Sequence, residues 1–163
     1  KEELFKTYNL YFCKKNNKMG TFTKELSIRW SDLDPNYHVR HSVYYDFGAQ
    51  HRIEILEQFG LTMKVMQTQW IGPILFREEC VFRKEIKRDS KVFINTKIGK
   101  MKTDASRWSI VHELTNEDNE LYAKITVDGA WMDLKLRKLA HPLPQIVVDV
   151  MNEMPKTDDF ITQ

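Results

Sequence analysis

The chain has 163 residues, 42% hydrophobic and 29% charged. That is the make-up of one globular domain with length enough for a real core. Its formal net charge of +2 makes no case for nucleic acid or a membrane surface as partner. The longest uncharged run, Val65 to Phe76, is too short for a membrane span. The N-terminus is charged and lacks the sustained apolar core of a signal peptide. Two cysteines, Cys13 and Cys80, make no disulfide framework and fit a reducing compartment. A cytoplasmic location is the expectation.

Residues 1–18 are Lys-rich. Leu4, Tyr8 and Tyr11 share one helical stripe, so a short docking helix is one reading and an N-terminal extension the other. Residues 19–155 are expected to form a single domain. Thr23 to Trp30 alternates, with Leu26, Ile28 and Trp30 on one face, and reads as a half-buried strand. A polar joint follows, Trp30-Ser31-Asp32-Leu33-Asp34-Pro35-Asn36-Tyr37-His38-Val39-Arg40-His41. Pro35 biases Asp34 toward extended geometry. If the joint stays extended, Asp34, Asn36 and His38 share a side.

A helix over about Val43 to Phe59 comes next, with Ser42 as N-cap and Gly60 as the stop. Its polar stripe is narrow, so it is expected to be buried over most of its circumference, with Gly48 allowing close approach. Trp70 to Lys87 holds a strand or strand pair, and Pro73 confines its start to an end, edge or bulge. Val92, Ile94, Thr96 and Ile98 alternate. So do Trp108, Ile110, His112 and Leu114, and then Leu121 through Trp131. Asn116 to Asn119 is a polar hairpin turn between two of these runs. Four or five antiparallel strands after one buried helix make an α+β fold. Pro142 and Pro144 mark the end of the sheet, Ile146 to Met154 forms a last helix, and residues 156–163 are expected as a flexible tail.

The joint carries the chemistry. It gathers a carboxylate, an amide and an imidazole at a helix N-terminus, whose free N–H groups and partial positive charge suit a developing oxyanion. The run Asp32-Leu33-Asp34-x-Asn36-x-His38-Val39, followed by Tyr44, resembles the signature of hotdog-fold thioesterases. It is similar to the 4-hydroxybenzoyl-CoA thioesterase family and closer still to plant acyl-ACP thioesterases. The resemblance covers about residues 22–140. Tyr37 stands where many bacterial members have Gly, and Arg40 and His41 replace an Asn-Asn pair.

The resemblance implies an antiparallel sheet wrapped around one long buried helix, and hydrolysis of acyl-CoA or acyl-ACP. It implies Asp34 as general base or nucleophile, with Asn36 and His38 orienting water and carbonyl. N–H groups near His41 and Ser42 would face the thioester oxygen, and Val43, Tyr44 and Phe47 would contact substrate. Phe82 to Ser90 resembles the plant enzymes' segment that bears a proposed catalytic Glu, which puts Glu85 in that role. It also implies a homodimer or homotetramer and no metal or other cofactor. Each residue has a plainer reading. An Asp before Pro forms turns, a His can be structural, and Glu85 can be a solvated charge. Asp32 is read as shaping the turn.

Cys80, with Phe76, Phe82 and Ile86 on its face, is read as a buried, inert thiol. His38-x-x-His41 with Asp34 is a weak metal pattern. His51 and His112 are read as satisfied core histidines, and Arg137 and Lys138 as cations that could meet CoA phosphates. A hotdog hydratase or dehydratase and a non-catalytic thioester-binding protein are the competing readings.

Overall fold

A computed structural model describes residues 22–163. The reading of residues 1–18 and Cys13 lie outside the described residues. The elements run β1 (Thr23–Leu26), a 3-10 turn (Trp30–Asp32), α1 (His41–Gln58), α2 (Met63–Gln69), β2 (Ile71–Phe82) and β3 (Val92–Met101). Then come β4 (Arg107–Thr115), β5 (Leu121–Asp133), β6 (Lys138–Leu139), α3 (Gln145–Glu153) and β7 (Lys156–Thr162). The sheet order is β1-β3-β4-β5-β2. β6 adds to β5, and β7 adds to β3. All pairings are antiparallel except β3 with β7. The α1 helix packs against β3 and β5. This is the α+β hotdog arrangement, a sheet curled around a central helix.

The alternating runs form the core-facing rows. Val92, Ile94, Thr96 and Ile98 of β3 are fully buried, as are His112 and Leu114 of β4 and Ala123, Ile125 and Val127 of β5. Each large aliphatic side chain in such a row stabilises the fold by roughly 1.5–3 kcal/mol. Where β4 and β5 pair, Trp108 lies against Gly129. A Cβ on Gly129 would sit 2.4 Å from the indole, so only glycine lets the ring cross β5. Pro73 lies in β2, which pairs with β5 alone and ends the sheet, so its missing N–H breaks no ladder.

Several expectations change. The first strand stops at Leu26, and Trp30 is exposed in the 3-10 turn that Asp32 ties back to Arg29. The α1 helix begins two residues earlier than Ser42's role as N-cap required. Arg40 is the N-cap, with no side-chain cap bond. Its buried residues are Val43, Tyr44, Gly48, His51, Arg52, Ile55 and Leu56, so one face is covered rather than most of the circumference. The stop at Gly60 holds, at φ 95°.

The strand after α2 ends at Phe82, and Lys87 rejoins the fold only as a bridge to His38. Residues 156–163 are no flexible tail, because β7 pairs in parallel with the end of β3. The sheet therefore continues past Pro142 and Pro144.

Candidate active site

The joint folds as a tight turn. Asp34 C=O accepts from Tyr37 N–H at 3.0 Å, and Asp34 N–H donates to His38 C=O at 2.8 Å. Asp34 Oδ1 accepts from the N–H groups of Asn36 (2.8 Å) and His38 (3.1 Å). Tyr37 takes φ 62°, the left-handed region in which glycine is at ease. That accounts physically for a glycine at the equivalent place in the resembling families. Bridges from Leu33 to Val39 and from His38 to Lys87, with Val39 N–H donating to Ile86 C=O at 2.8 Å, pin the turn to the segment after β2.

A groove of about 420 Å³ opens beside this turn. Asp34 and His38 line it from the turn, His41 and Tyr44 from α1, and Phe82 and Glu85 from the end of β2 and the segment beyond. Among the described residues Asp34 Oδ2 has no hydrogen-bond partner, so one carboxylate oxygen is free. His38 Nε2 lies 3.5 Å from Glu85 Oε2, and Glu85 Oε1 lies 3.2 Å from Lys87 Nζ. Val43 N–H is taken by Arg40 C=O, while the N–H groups of His41 and Ser42 have no backbone partner among the described residues. Tyr44 packs edge-on to Phe82 at 5.0 Å, and burial pushes its phenol up to about 12. Its hydroxyl therefore stays protonated and can donate.

Asp34, His38, Glu85, His41 and Tyr44 thus come together. Asn36 does not join them. The turn interrupts the extended run on which its alternation depended and leaves it at the exposed tip. Ser42 is exposed in the first turn of α1, Val43 is buried in the core and Phe47 is half-buried against it, and none of the three lines the groove.

The family model for the thioesterase-like superfamily matches residues 28–152. The chain belongs to this superfamily. Its fold is similar to a Staphylococcus aureus protein solved in complex with CoA, at 16% identity and TM-score 0.74, over 83% of this chain and 87% of that one. It is also similar to a 1,4-dihydroxy-2-naphthoyl-CoA thioesterase from Synechocystis, at 20% identity and TM-score 0.71, over 82% and 97%. A DHNA-CoA thioesterase from Staphylococcus aureus aligns at 19% identity and TM-score 0.65, over 72% and 78%. No curated protein sequence matches the chain.

Other ionisable groups of this thioesterase-like chain have structural roles. Asp32 is buried. Hydrogen bonds from Arg29 hold its carboxyl below the usual carboxylate range, so it stays charged and braces the turn. Cys80 is half-buried. Burial, helped by the charge of Glu78, pushes its thiol up to about 11, which makes it a poor nucleophile. Phe76 and Phe82 are largely exposed, so the apolar shelter expected around Cys80 is partial. Among the described residues no cluster of His, Cys, Asp and Glu could hold a metal ion, and no helix is long and apolar enough to cross a membrane.

His51 and His112 are both core histidines. Thr96 Oγ1 lies 2.7 Å from His51 Nδ1 and 2.6 Å from His112 Nδ1, and Arg52 NH1 lies 3.1 Å from His112 Nε2. An arginine can only donate, so His112 Nε2 accepts and its proton sits on Nδ1. The Nδ1–H of His112 donates to Thr96 Oγ1, and the Thr96 hydroxyl donates in turn to His51 Nδ1. Both rings are then neutral. Burial drives His51 down to about 4 and His112 well below its usual value. Sequence reasoning missed Arg52 and Thr96. The one signal was a threonine at an inward-facing place in the β3 alternation, where a buried hydroxyl requires a partner.

Proposed function

We propose that this chain hydrolyses acyl-CoA thioesters in the groove beside Asp34. The observation that carries the reading is the free Asp34 Oδ2, held in a groove that also receives the start of α1. Asp34 takes a proton from water as the water oxygen attacks the thioester carbonyl. The oxyanion forms near the free N–H group of His41, at the positive end of α1. The C–S bond then breaks, the proton on Asp34 passes to the departing thiolate, and free acid and thiol remain. His38, whose Nε2 lies 3.5 Å from Glu85 Oε2, is the group we assign to orienting the water. Acyl-ACP is the alternative donor, since it presents the same thioester.

The reading includes a dimer. β2 ends the sheet with its outer edge unpaired among the described residues, and Leu75, Phe76, Val81 and Phe82 are 40–53% exposed along it. An apolar open edge of this length calls for a cover, and a second copy of β2 would supply one.

The test is thiol release from a panel of acyl-CoAs, with Asp34→Asn beside the parent. Asparagine keeps an Oδ1 acceptor for the turn but cannot take a proton. Turnover by the parent and a loss of about 10²–10⁴-fold in the variant are expected. An active variant would sink the role given to Asp34.

A further inference from the structure

A second groove, of about 560 Å³, adjoins the first and shares Arg83, Lys84 and Glu85 with it. Lys87, Ser90 and Tyr122 complete its lining. Three of these six residues are cations and one is an anion. The segment is firmly held. The N–H groups of Arg83 and Lys84 both donate to Tyr122 C=O, at 2.8 and 3.1 Å, and Lys87 N–H donates to Ser90 Oγ at 3.0 Å. Lys84 pairs with Glu120 and Lys87 with Glu85, while Arg83 has no ion pair among the described residues. A fixed cationic groove next to a thioester site is built for an anion that arrives attached to the thioester.

The alternative cations are in the wrong place. Arg137 and Lys138 lie beyond the end of β5 that pairs with Ile71. The Asp34 groove is at the Phe82 end of β2. The twelve residues of that strand span roughly 36 Å at ~3.3 Å per step, so within one subunit these two cations are remote from the groove.

We propose that the groove of Arg83, Lys84, Lys87, Ser90 and Tyr122 seats the 3′-phospho-ADP part of a CoA thioester, which makes the chain selective for CoA over carrier-protein esters. Carrier protein presents the same pantetheine arm without a nucleotide, so only CoA uses this groove. Arg83 is its main anchor, because its guanidinium is free and can grip a phosphate through two donors. Lys84 and Lys87 add field, and the Tyr122 ring offers an aromatic surface to adenine. The proposal rests on the reading that the neighbouring groove takes the thioester, and its test keeps the two apart.

Two measurements are made on the full chain, with Arg83→Ser and Lys87→Ser beside the parent. The first is calorimetric binding of CoA and of 3′,5′-ADP, which needs no turnover. Arg83→Ser is expected to bind about fivefold more weakly, the upper range for an exposed charge pair, Lys87→Ser more weakly by a smaller factor, and the parent's affinity is expected to fall with added salt. The second is the ratio of kcat/KM for an acyl-CoA to that for the same acyl group on pantetheine, which is expected to shrink in both variants. CoA bound by the parent and bound more weakly by the variants supports the groove even if no ester is cleaved, and in that case it is the hydrolase reading that fails. CoA bound equally by all three proteins, bound by none, or a ratio unmoved by either substitution overturns the assignment.

Discussion

Thr96→Val tests the buried network most directly. Valine matches threonine in shape and removes only the hydroxyl that joins His51 to His112. With Thr96 fully buried, no water replaces it. The lone pair of His51 Nδ1 and the Nδ1–H of His112 both lose their partners. A buried group left unpaired costs about 1–3 kcal/mol, so the pair together predicts a loss of about 2–6 kcal/mol. That is a large share of the ~5–15 kcal/mol that holds a domain of this kind. Thr96→Ser is the control, since it keeps the bridge and loses one methyl group, about 1 kcal/mol. Urea unfolding near neutral pH ranks the three proteins, and the order parent, Ser, Val is expected. A valine variant as stable as the serine variant would refute the hydroxyl's part. Nitrogen NMR shifts of the two rings give an independent check. His112 protonated on Nε2, or His51 on Nδ1, would break the chain of donors.

Three further outcomes follow from the same structure. Both core histidines are held neutral, while an unfolded histidine protonates near 6.5. As pH falls the unfolded chain therefore binds more protons than the folded one. The stability they contribute is complete above about 6.5 and is lost as pH drops toward about 4. For His51 alone the loss reaches roughly 2 kcal/mol by about pH 5, and denaturant melts that stay constant between neutral pH and about 5 would contradict it. Tyr37→Gly should gain about 1 kcal/mol, because Tyr37 is 74% exposed and held at φ 62°, whereas Tyr37→Val should lose stability in the same thermal melts. Light scattering should give twice the chain mass for the parent. Phe76→Lys, on the open edge of β2, should shift the mass toward that of one chain, and a parent of single-chain mass would remove the dimer.

Much of this architecture is decided by neighbours in the chain. The inward rows of β3, β4 and β5 follow from side chains alternating across a strand, and that alternation is written residue by residue from Val92 to Trp131. The stop of α1 at Gly60 is local in the same way. So is the turn chemistry of Asp34 and Pro35, although the turn closes more tightly than an extended reading allows and leaves Asn36 outside the groove.

Contacts between distant segments are another matter. Nothing in the polar run from Lys156 to Asp159 marks a strand, and β7 exists because the end of β3 has an edge to fill. Arg52 looks like a surface cation until α1 rotates it inward onto His112. Glu85 meets His38 only because the segment after β2 bridges back to the joint at Lys87. Local periodicity follows from geometry within a few residues, and so can be read directly from the amino-acid order. Which edge is filled, which cation is buried and which carboxylate meets which imidazole depend on pairings across the sheet, and those are settled only when the whole chain packs.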